Sequence, residues 1–328
     1  MAALAVAALS LLVAGCSKSP GASSASTTAS APTSTSTTTP AAGSWSKAIP
    51  IAAGANLSVV SCPAPGSCVA GSVTGQTYRL VLDKVTALGP AVPSPSPQGV
   101  SYLSCTGAGF CAAAPNLNQV ALLSGSAWQA PATIPAAQGI TAIDCTGPTF
   151  CITIDGEGNS FAFDGSGWSG NIGAWGAANQ ISCVSPAFCV AAEGGPSVWN
   201  GRTWTQPGDA DTQGQLNSVS CATTSFCVLV DSSGRVVTWN GLGFTPPASI
   251  ATEPPVTGSD ASGLTAVSCP TTTLCRAVDS IGRVFGWNGT AWSAGTLIDN
   301  GHALTSISCP TATYCVAVDR SGHAFVSG

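Results

Sequence analysis

The sequence predicts an all-β fold, a seven-bladed β-propeller with four-stranded blades and an N-terminal strand that closes the last blade. Three observations carry this prediction. Fourteen cysteines form seven C-x5-C pairs whose first members lie 43, 40, 38, 38, 48 and 40 residues apart. Each repeat contains the residues of four short strands, and the last repeat stops after its third strand. Periods of about 40 to 50 residues are typical of propeller blades.

Residues 1–15 form an apolar segment, shorter than the roughly 20 residues that span a bilayer. Val13, Ala14 and Gly15 precede Cys16, and this pattern resembles the lipobox of bacterial lipoproteins, although no Lys or Arg precedes the apolar run. The resemblance implies cleavage before Cys16 and a lipid on its thiol, and therefore a partner membrane at the extracytoplasmic face of the cell. An ordinary signal peptide or an uncleaved anchor helix is the alternative.

Residues 16–43 comprise Cys16 and a Ser/Thr/Pro-rich segment that has no large apolar residue after Cys16. Such a segment cannot bury a core, and we expect a disordered tether between the lipid and the propeller. The propeller itself is expected to span residues 44–328.

The remaining cysteines are expected to form one disulfide within each repeat. A zinc set would show shorter C-x2-C spacings or accompanying histidines, whereas the chain has only two His. Disulfides require an oxidising compartment, which agrees with export. The predicted pairs are Cys62–Cys68, Cys105–Cys111, Cys145–Cys151, Cys183–Cys189, Cys221–Cys227, Cys269–Cys275 and Cys309–Cys315.

The four strands of a repeat follow in a fixed order. The first ends at the first cysteine and the second begins at the second cysteine. An Asp four residues later, with Gly after three more, favours a type I turn into the third strand, as at Asp231 and Gly234. The third strand ends at phrases such as WNG at Trp199, where Asn-Gly favours a type I′ hairpin turn. A fourth strand then begins with an aromatic residue, for example Trp204.

The phrase SWSKAIPI, from Ser44, has the form of a fourth strand with no repeat before it. We therefore expect it to complete the seventh blade, which lacks its own fourth strand. A ring closed by both ends of the chain leaves only short, protected sheet edges.

The repeated aromatic and Asp residues are more simply explained by packing between blades and by turn capping than by a sugar platform, catalysis or calcium binding. The D-x-x-G phrase is loosely similar to the Asp-box of sialidase-type propellers, but its spacing differs, and no function is carried over. The net charge of -5, without a basic block, argues against a nucleic-acid partner. No metal or other cofactor is predicted.

Candidate binding residues are those that depart from the repeat. Asp144 stands where the six other repeats have Ser before the first cysteine, and Arg276 stands where they have an apolar residue after the second. Two long connections after fourth strands carry further acidic residues on the face of the Asp turns, and variable loops often carry recognition. These acidic residues are Asp209, Asp211, Glu253 and Asp260.

We expect a monomeric, lipid-anchored binding module outside the cytoplasm, which presents the long-loop face to a glycan, a peptide or an envelope protein. The alternative is a glycosidase or lyase that acts on cell-envelope polysaccharide. Glycoside hydrolysis usually needs two opposed carboxylates. The acidic residues mostly repeat at one turn, and no catalytic residue is predicted.

Overall fold

A computed structural model describes residues 44–328 except 82–83, 91–98, 108, 116, 135–136, 174–177, 193–194, 209, 211–213, 252–262 and 301. The predicted signal segment 1–15, Cys16 and the predicted tether lie outside the described residues. Within the described part of the chain, no helix has the length and apolar character needed to cross a bilayer.

The chain forms a seven-bladed propeller built from short antiparallel strands. A short strand, β1 (Ile49–Pro50), comes first. The first blade contains β2 (Leu57–Ala64), β3 (Ser67–Ser72), β4 (Gln76–Val81) and β5 (Lys84–Pro90). The second contains β6 (Val100–Gly107), β7 (Phe110–Pro115), β8 (Gln119–Ser124), β9 (Ala127–Trp128) and β10 (Ala132–Thr133). The third contains β11 (Ile140–Gly147), β12 (Phe150–Asp155) and β13 (Ser160–Phe163).

The four later blades follow the same order. The fourth contains β14 (Gln180–Ser185), β15 (Phe188–Ala192), β16 (Ser197–Trp199) and β17 (Trp204–Thr205). The fifth contains β18 (Leu216–Thr223), β19 (Phe226–Asp231), β20 (Arg235–Trp239) and β21 (Ala248–Ser249). The sixth contains β22 (Leu264–Thr271), β23 (Leu274–Asp279), β24 (Arg283–Trp287) and β25 (Thr296–Leu297). The seventh contains β26 (Leu304–Thr311), β27 (Tyr314–Asp319) and β28 (His323–Ser327).

The closure predicted from the sequence is confirmed. Strand β1 pairs with β28, with Ile49 opposite Ala324, and Trp45 pairs with Ser327. The Ser46 N–H donates to the Val326 carbonyl at 2.8 Å. The N-terminal segment therefore supplies the fourth strand of the seventh blade.

One disulfide joins the first and second strands of every blade, as predicted. The Cα atoms of each pair are 3.9–4.1 Å apart, because the two cysteines lie on neighbouring strands of one hairpin. Each bridge therefore constrains its own blade and does not tie blades together.

Among the described residues, the core comprises seven apolar clusters, and each contains residues from two neighbouring blades. The aromatic residue of the fourth strand packs into the cluster shared with the preceding blade. Two of these indoles also donate across the junction, Trp128 to Thr77 Oγ1 at 2.8 Å and Trp204 to Ser160 Oγ at 2.9 Å. The repeated aromatics are therefore core residues, as the sequence indicated.

Two local details differ from expectation. Trp199 pairs with Trp204, so the hairpin loop has four residues and is not a two-residue type I′ turn. The reason is that Asn200 Oδ1 accepts the N–H groups of Arg202 and Thr203, which fixes a wider loop. In the third blade, the segment after β13 makes an isolated bridge from Trp168 to Phe163 and has no regular ladder.

The disc has two distinct faces. The turn face carries the Asp turns between second and third strands and the connections from each fourth strand to the next blade. The Asp turns contact these connections, since the Ser232 N–H donates to the Gln215 carbonyl at 2.9 Å and the Ser280 N–H donates to the Gly263 carbonyl at 3.1 Å. The cysteine-loop face carries the disulfide loops and the loops after the third strands.

Candidate functional site at the mouth of the central channel

The first strands line the central channel, and a ring of hydrogen bonds joins them near the cysteine-loop face. In each bond, the donor is the backbone N–H of the first cysteine of one blade. The acceptor is the side chain of the residue that immediately precedes the first cysteine of the preceding blade. We call this ring the cysteine belt. Its bonds are Cys62 to Ser308 (2.9 Å), Cys105 to Ser61 (3.0 Å), Cys145 to Ser104 (3.0 Å), Cys183 to Asp144 (2.6 Å), Cys221 to Ser182 (3.0 Å), Cys269 to Ser220 (2.9 Å) and Cys309 to Ser268 (2.9 Å).

Asp144 is the member of the belt that departs from serine. Its Oδ1 accepts the Ser104 hydroxyl at 2.7 Å and the Cys145 N–H at 2.9 Å. Burial raises the pKa of Asp144 to about 6, although the hydrogen bonds from Ser104, Cys183 and Cys145 act in the opposite direction. Both carboxylate oxygens are thus engaged in joining blades two, three and four.

A second set of bonds holds the first strands together at the turn face. Side chains at the second position of a first strand donate to the carbonyl of the residue five places before the first cysteine of the next blade, at or just before the start of its first strand. The bonds are Ser58 to Val100 (2.5 Å), Thr141 to Ala178 (2.5 Å), Asn217 to Leu264 (2.8 Å), Thr265 to Leu304 (2.6 Å) and Thr305 to Leu57 (2.8 Å). Hydrogen bonds between blades therefore hold the channel mouth together, and they bring polar side chains to it.

A cavity of about 580 Å³ opens at this mouth, within the size range of ligand pockets. Its lining residues come from blades one, five, six and seven and are Asn56, Ser58, Val73, Asn217, Thr265, Ser280, Ala303, Leu304, Thr305 and Arg320. Arg320 is exposed and is the charged member of this lining. A smaller cavity of about 140 Å³ lies within the channel and shares Ser58, Thr265 and Thr305 with the mouth.

Sequence reasoning missed Arg320, although the repeat contains a signal for it. Arg320 occupies the second place of its Asp turn, where Gly156, Ser232 and Ser280 occupy the equivalent places. It is therefore a charged departure from the repeat at the rim of the channel. Asn56 and Asn217 carry no such signal, because their common environment exists only after the ring closes.

The Asp turns themselves offer no free carboxylate at the mouth. Asp155, Asp231, Asp279 and Asp319 are at most 2% exposed. In each, Oδ1 accepts the N–H groups two and four residues later, for example those of Ser233 (2.9 Å) and Arg235 (2.8 Å) in the fifth blade. Oδ2 accepts a side chain four residues later in every case, namely Asn159, Arg235, Arg283 or His323.

Arg276 lies away from the mouth, toward the cysteine-loop face. Its guanidinium borders a pocket of about 150 Å³ lined also by Thr273, Trp287 and Asn288. The side chain is buried, and its Nη1 donates to the Cys275 carbonyl at 3.4 Å. Burial lowers the pKa of Arg276, and among the described residues no carboxylate pairs with it.

The structure therefore separates the predicted binding residues. Asp144 lies in the cysteine belt between blades three and four, Arg276 lies toward the cysteine-loop face of blade six, and neither lines the mouth cavity. Asp209, Asp211, Glu253 and Asp260 lie outside the described residues. Their contribution to the turn face stays a prediction.

The fold and the polar channel mouth define a seven-bladed β-propeller with one disulfide per blade, an architecture often used as a binding or interaction module. No protein-family model matches the chain, and no curated protein matches it by sequence. Solved propellers do match its structure. YCF48 bound to D1 peptide has a TM-score of 0.69 at 14% identity, with 86% of this chain and 96% of that chain covered.

Two further structures show the same likeness. U3-55K has a TM-score of 0.73 at 10% identity and covers 86% of this chain and 97% of its own. YCF48 from Cyanidioschyzon merolae has a TM-score of 0.63 at 13% identity and covers 86% of this chain and 98% of its own. At these identities the similarity shows the fold alone.

Proposed function

We propose that the protein is an extracytoplasmic binding module, held at the cell membrane by a lipid on Cys16, and that its propeller binds a polypeptide at the channel mouth. The observation that carries this proposal is the mouth cavity of about 580 Å³, which is lined by amides, hydroxyls and one arginine together with the apolar residues Val73, Ala303 and Leu304. The role requires no enzymatic chemistry.

The lining suits a polypeptide. An extended chain presents N–H groups that the hydroxyl oxygens of Ser58, Thr265 and Thr305 can accept, since the hydrogens of these hydroxyls are already donated to backbone carbonyls. The side-chain amides of Asn56 and Asn217 can bind both N–H and C=O groups. Arg320 can in addition bind a carboxylate through two parallel N–H···O bonds, either from an acidic side chain or from a chain terminus. The ligand class that follows is a peptide segment with at least one carboxylate near its bound end.

A glycan ligand and the alternative of a carbohydrate-active enzyme find less support. Glycan sites commonly stack sugars on aromatic faces, whereas none of the residues that line the mouth is aromatic. Glycoside hydrolysis usually needs two opposed carboxylates, and none of these lining residues is acidic. The Asp turns supply buried, hydrogen-bonded carboxylates in place of accessible ones.

The solved structure of YCF48 bound to D1 peptide gives an example of peptide binding by a propeller of similar fold. With 14% identity, it supports the class of ligand and identifies no partner for this chain. The compartment is supported separately, because seven disulfides require an oxidising environment.

The test is site-specific photocrosslinking in the producing cell. A benzoylphenylalanine in place of Ser280 lies at the mouth cavity, and one in place of Thr272 lies on the cysteine-loop face. We expect the first position to crosslink a defined polypeptide, identified by mass spectrometry, and the second not to. Equal crosslinks from both positions, or crosslinks to glycan alone, would contradict the proposal.

A second measurement tests the role of Arg320. A synthetic peptide that copies the crosslinked segment is titrated against the wild-type chain and against Arg320→Ser, which carries the residue found at Ser232 and Ser280. Loss of a charge-assisted hydrogen bond is expected to weaken binding by roughly 10-fold. Unchanged affinity would exclude Arg320 from the site.

A further inference from the structure

Both histidines of the chain lie at the junction between blades six and seven, and each is bonded to a carboxylate. His302 Nδ1 lies 3.2 Å from Asp299 Oδ1, and His323 Nδ1 lies 2.9 Å from Asp319 Oδ2. The two Asp side chains contact each other. This cluster is not explained by the repeat or by the proposed peptide site.

Asp299 has an unmatched oxygen. Its side chain is only 10% exposed, and its Oδ2 is buried without a hydrogen-bond partner in the described part of the chain. A buried carboxylate oxygen without a partner is costly, and two adjacent carboxylates repel each other. A bound cation would remove both penalties at once.

We propose that Asp299, His302 and Asp319 form a binding site for a divalent transition-metal ion of the zinc class. One ligand atom from each residue lies within 4.8 Å of the other two. Zinc binds oxygen and imidazole ligands at about 2.0–2.2 Å, so donors around one ion lie about 3.4 Å apart. The exposed His302 side chain can supply the small movement that this requires.

The choice of ion follows from the donors. An imidazole nitrogen with two carboxylates favours zinc over calcium or magnesium, which bind through oxygen. Three protein ligands also leave a position for water or for a group of a partner molecule. His323, which bonds Asp319, holds that carboxylate in place in the manner of an outer-sphere partner.

The repeat shows that the fold does not require this cluster. The connection IDNGHAL at 298–304 has the same length as IAAGANL at 51–57, which joins blades seven and one. The N–H groups of Asp299 and Ala52 make equivalent bonds, to Gly282 at 3.1 Å and to Gly322 at 3.2 Å. Ala52, Ala55 and Ser72 thus occupy the places of Asp299, His302 and Asp319, and none of them resembles this ligand set.

The experiment uses the full chain with its disulfides oxidised, purified without a polyhistidine tag and stripped with a chelator. Calorimetric titration with zinc chloride is expected to show one ion per chain. Saturating zinc is expected to raise the melting temperature by about 3 °C or more. Cobalt in place of zinc should give visible absorption bands typical of nitrogen and oxygen ligands.

The decisive variant is Asp299→Ala with His302→Ala, which copies the connection between blades seven and one. We expect it to fold, to bind zinc more than about 100-fold more weakly, and to lose the zinc-dependent melting shift. His323→Asn should weaken zinc binding by roughly 10-fold. The control Asp164→Asn, in an exposed loop, should leave the zinc affinity and the zinc-dependent melting shift unchanged.

The inference is overturned if the wild-type chain binds no zinc up to about 1 mM. It is equally overturned if the double variant binds zinc as tightly as the wild-type chain. Neither result bears on the proposed peptide site, which is tested through Ser280 and Arg320.

Discussion

The backbone N–H of Cys183 donates to Asp144 Oδ2 at 2.6 Å, where a serine hydroxyl accepts the equivalent N–H at the six other blade junctions. One junction of the belt therefore depends on an ionisable group. The hydroxyl of Ser104 donates to the same carboxylate, so the acid also links to the preceding blade. This difference from serine makes the stability of the propeller sensitive to pH.

Asp144→Ser is expected to remove that sensitivity. Because burial raises the pKa of Asp144 to about 6, the folded chain keeps a proton that the unfolded chain releases near pH 4. The stabilisation is fully present below about pH 4 and is lost as the pH rises to about 6. The loss is at most about 3 kcal/mol, since each pKa unit corresponds to about 1.4 kcal/mol. Urea unfolding between pH 4 and pH 7 measures it.

A matched control places the acid at another junction. Ser220→Asp in the background of Asp144→Ser should restore a similar fall in the free energy of unfolding, because Ser220 accepts the Cys269 N–H and faces the apolar Val228, as Asp144 faces Ile152. Parallel pH profiles for the wild-type chain and Asp144→Ser would contradict the assignment.

Arg276 is expected to destabilise the sixth blade. It faces Gly286 across the strand pair, and a Cβ atom at Gly286 would lie 2.5 Å from its Nη1. The fifth blade has Val228 and Thr238 at these two places. Arg276→Val with Gly286→Thr should raise the free energy of unfolding by about 1–3 kcal/mol, since a buried charge without a counterion is removed. A less stable double variant in urea unfolding would show that Arg276 has a partner.

Deleting residues 44–51 should open the ring. The deletion exposes the edge of β28 and removes Trp45 from the cluster between blades six and seven. Loss of a packed tryptophan alone costs up to about 3–5 kcal/mol. Thermal melting and light scattering should therefore show lower stability and aggregation. Deletion of 20–40, in the expected tether, should leave the melting temperature unchanged, and equal effects of the two deletions would refute the closure.

Peptide mapping without reduction should find only disulfides within repeats, because each bridge spans one hairpin. Replacing Cys221 and Cys227 by Ala should cost at most about 2–2.5 kcal/mol, the value for closing a ring of about seven residues. A second pair removed from a distant blade should add a similar amount, as for independent sites. A dominant bridge between blades, or strong non-additivity in urea unfolding, would contradict this independence.

Cys16→Ser should release the protein from the membrane. If a lipid on Cys16 is the anchor, the variant loses the thiol that carries it, while the propeller is unaffected. Cell fractionation and labelling with a radioactive fatty acid measure the outcome. Membrane retention of an unlabelled variant would favour the uncleaved anchor helix over the lipoprotein.

Much of the fold could be read from the sequence, because a propeller blade is a local structure. Pairs such as Cys221 and Cys227 lie within one hairpin, and turn signals such as Asp231 with Gly234 act over a few residues. The phrase at Trp45 was recognisable as a fourth strand because it repeats a pattern seen five times later. Local patterns of this kind can be recognised without knowledge of the tertiary structure.

The sequence alone therefore determined the number of blades, the disulfide pairs and the closing strand. It also led us to expect an oxidising compartment. Only the tertiary structure decided which departures from the repeat share one place. It shows that Asp144 joins two blades and that Arg276 lies toward the cysteine-loop face. It also places Arg320 beside Asn56 and Asn217 at the channel mouth. It also joined Asp299 and His302 to Asp319. The physical reason is that these side chains come from different blades, and they meet only when the closed ring fixes the distances between them.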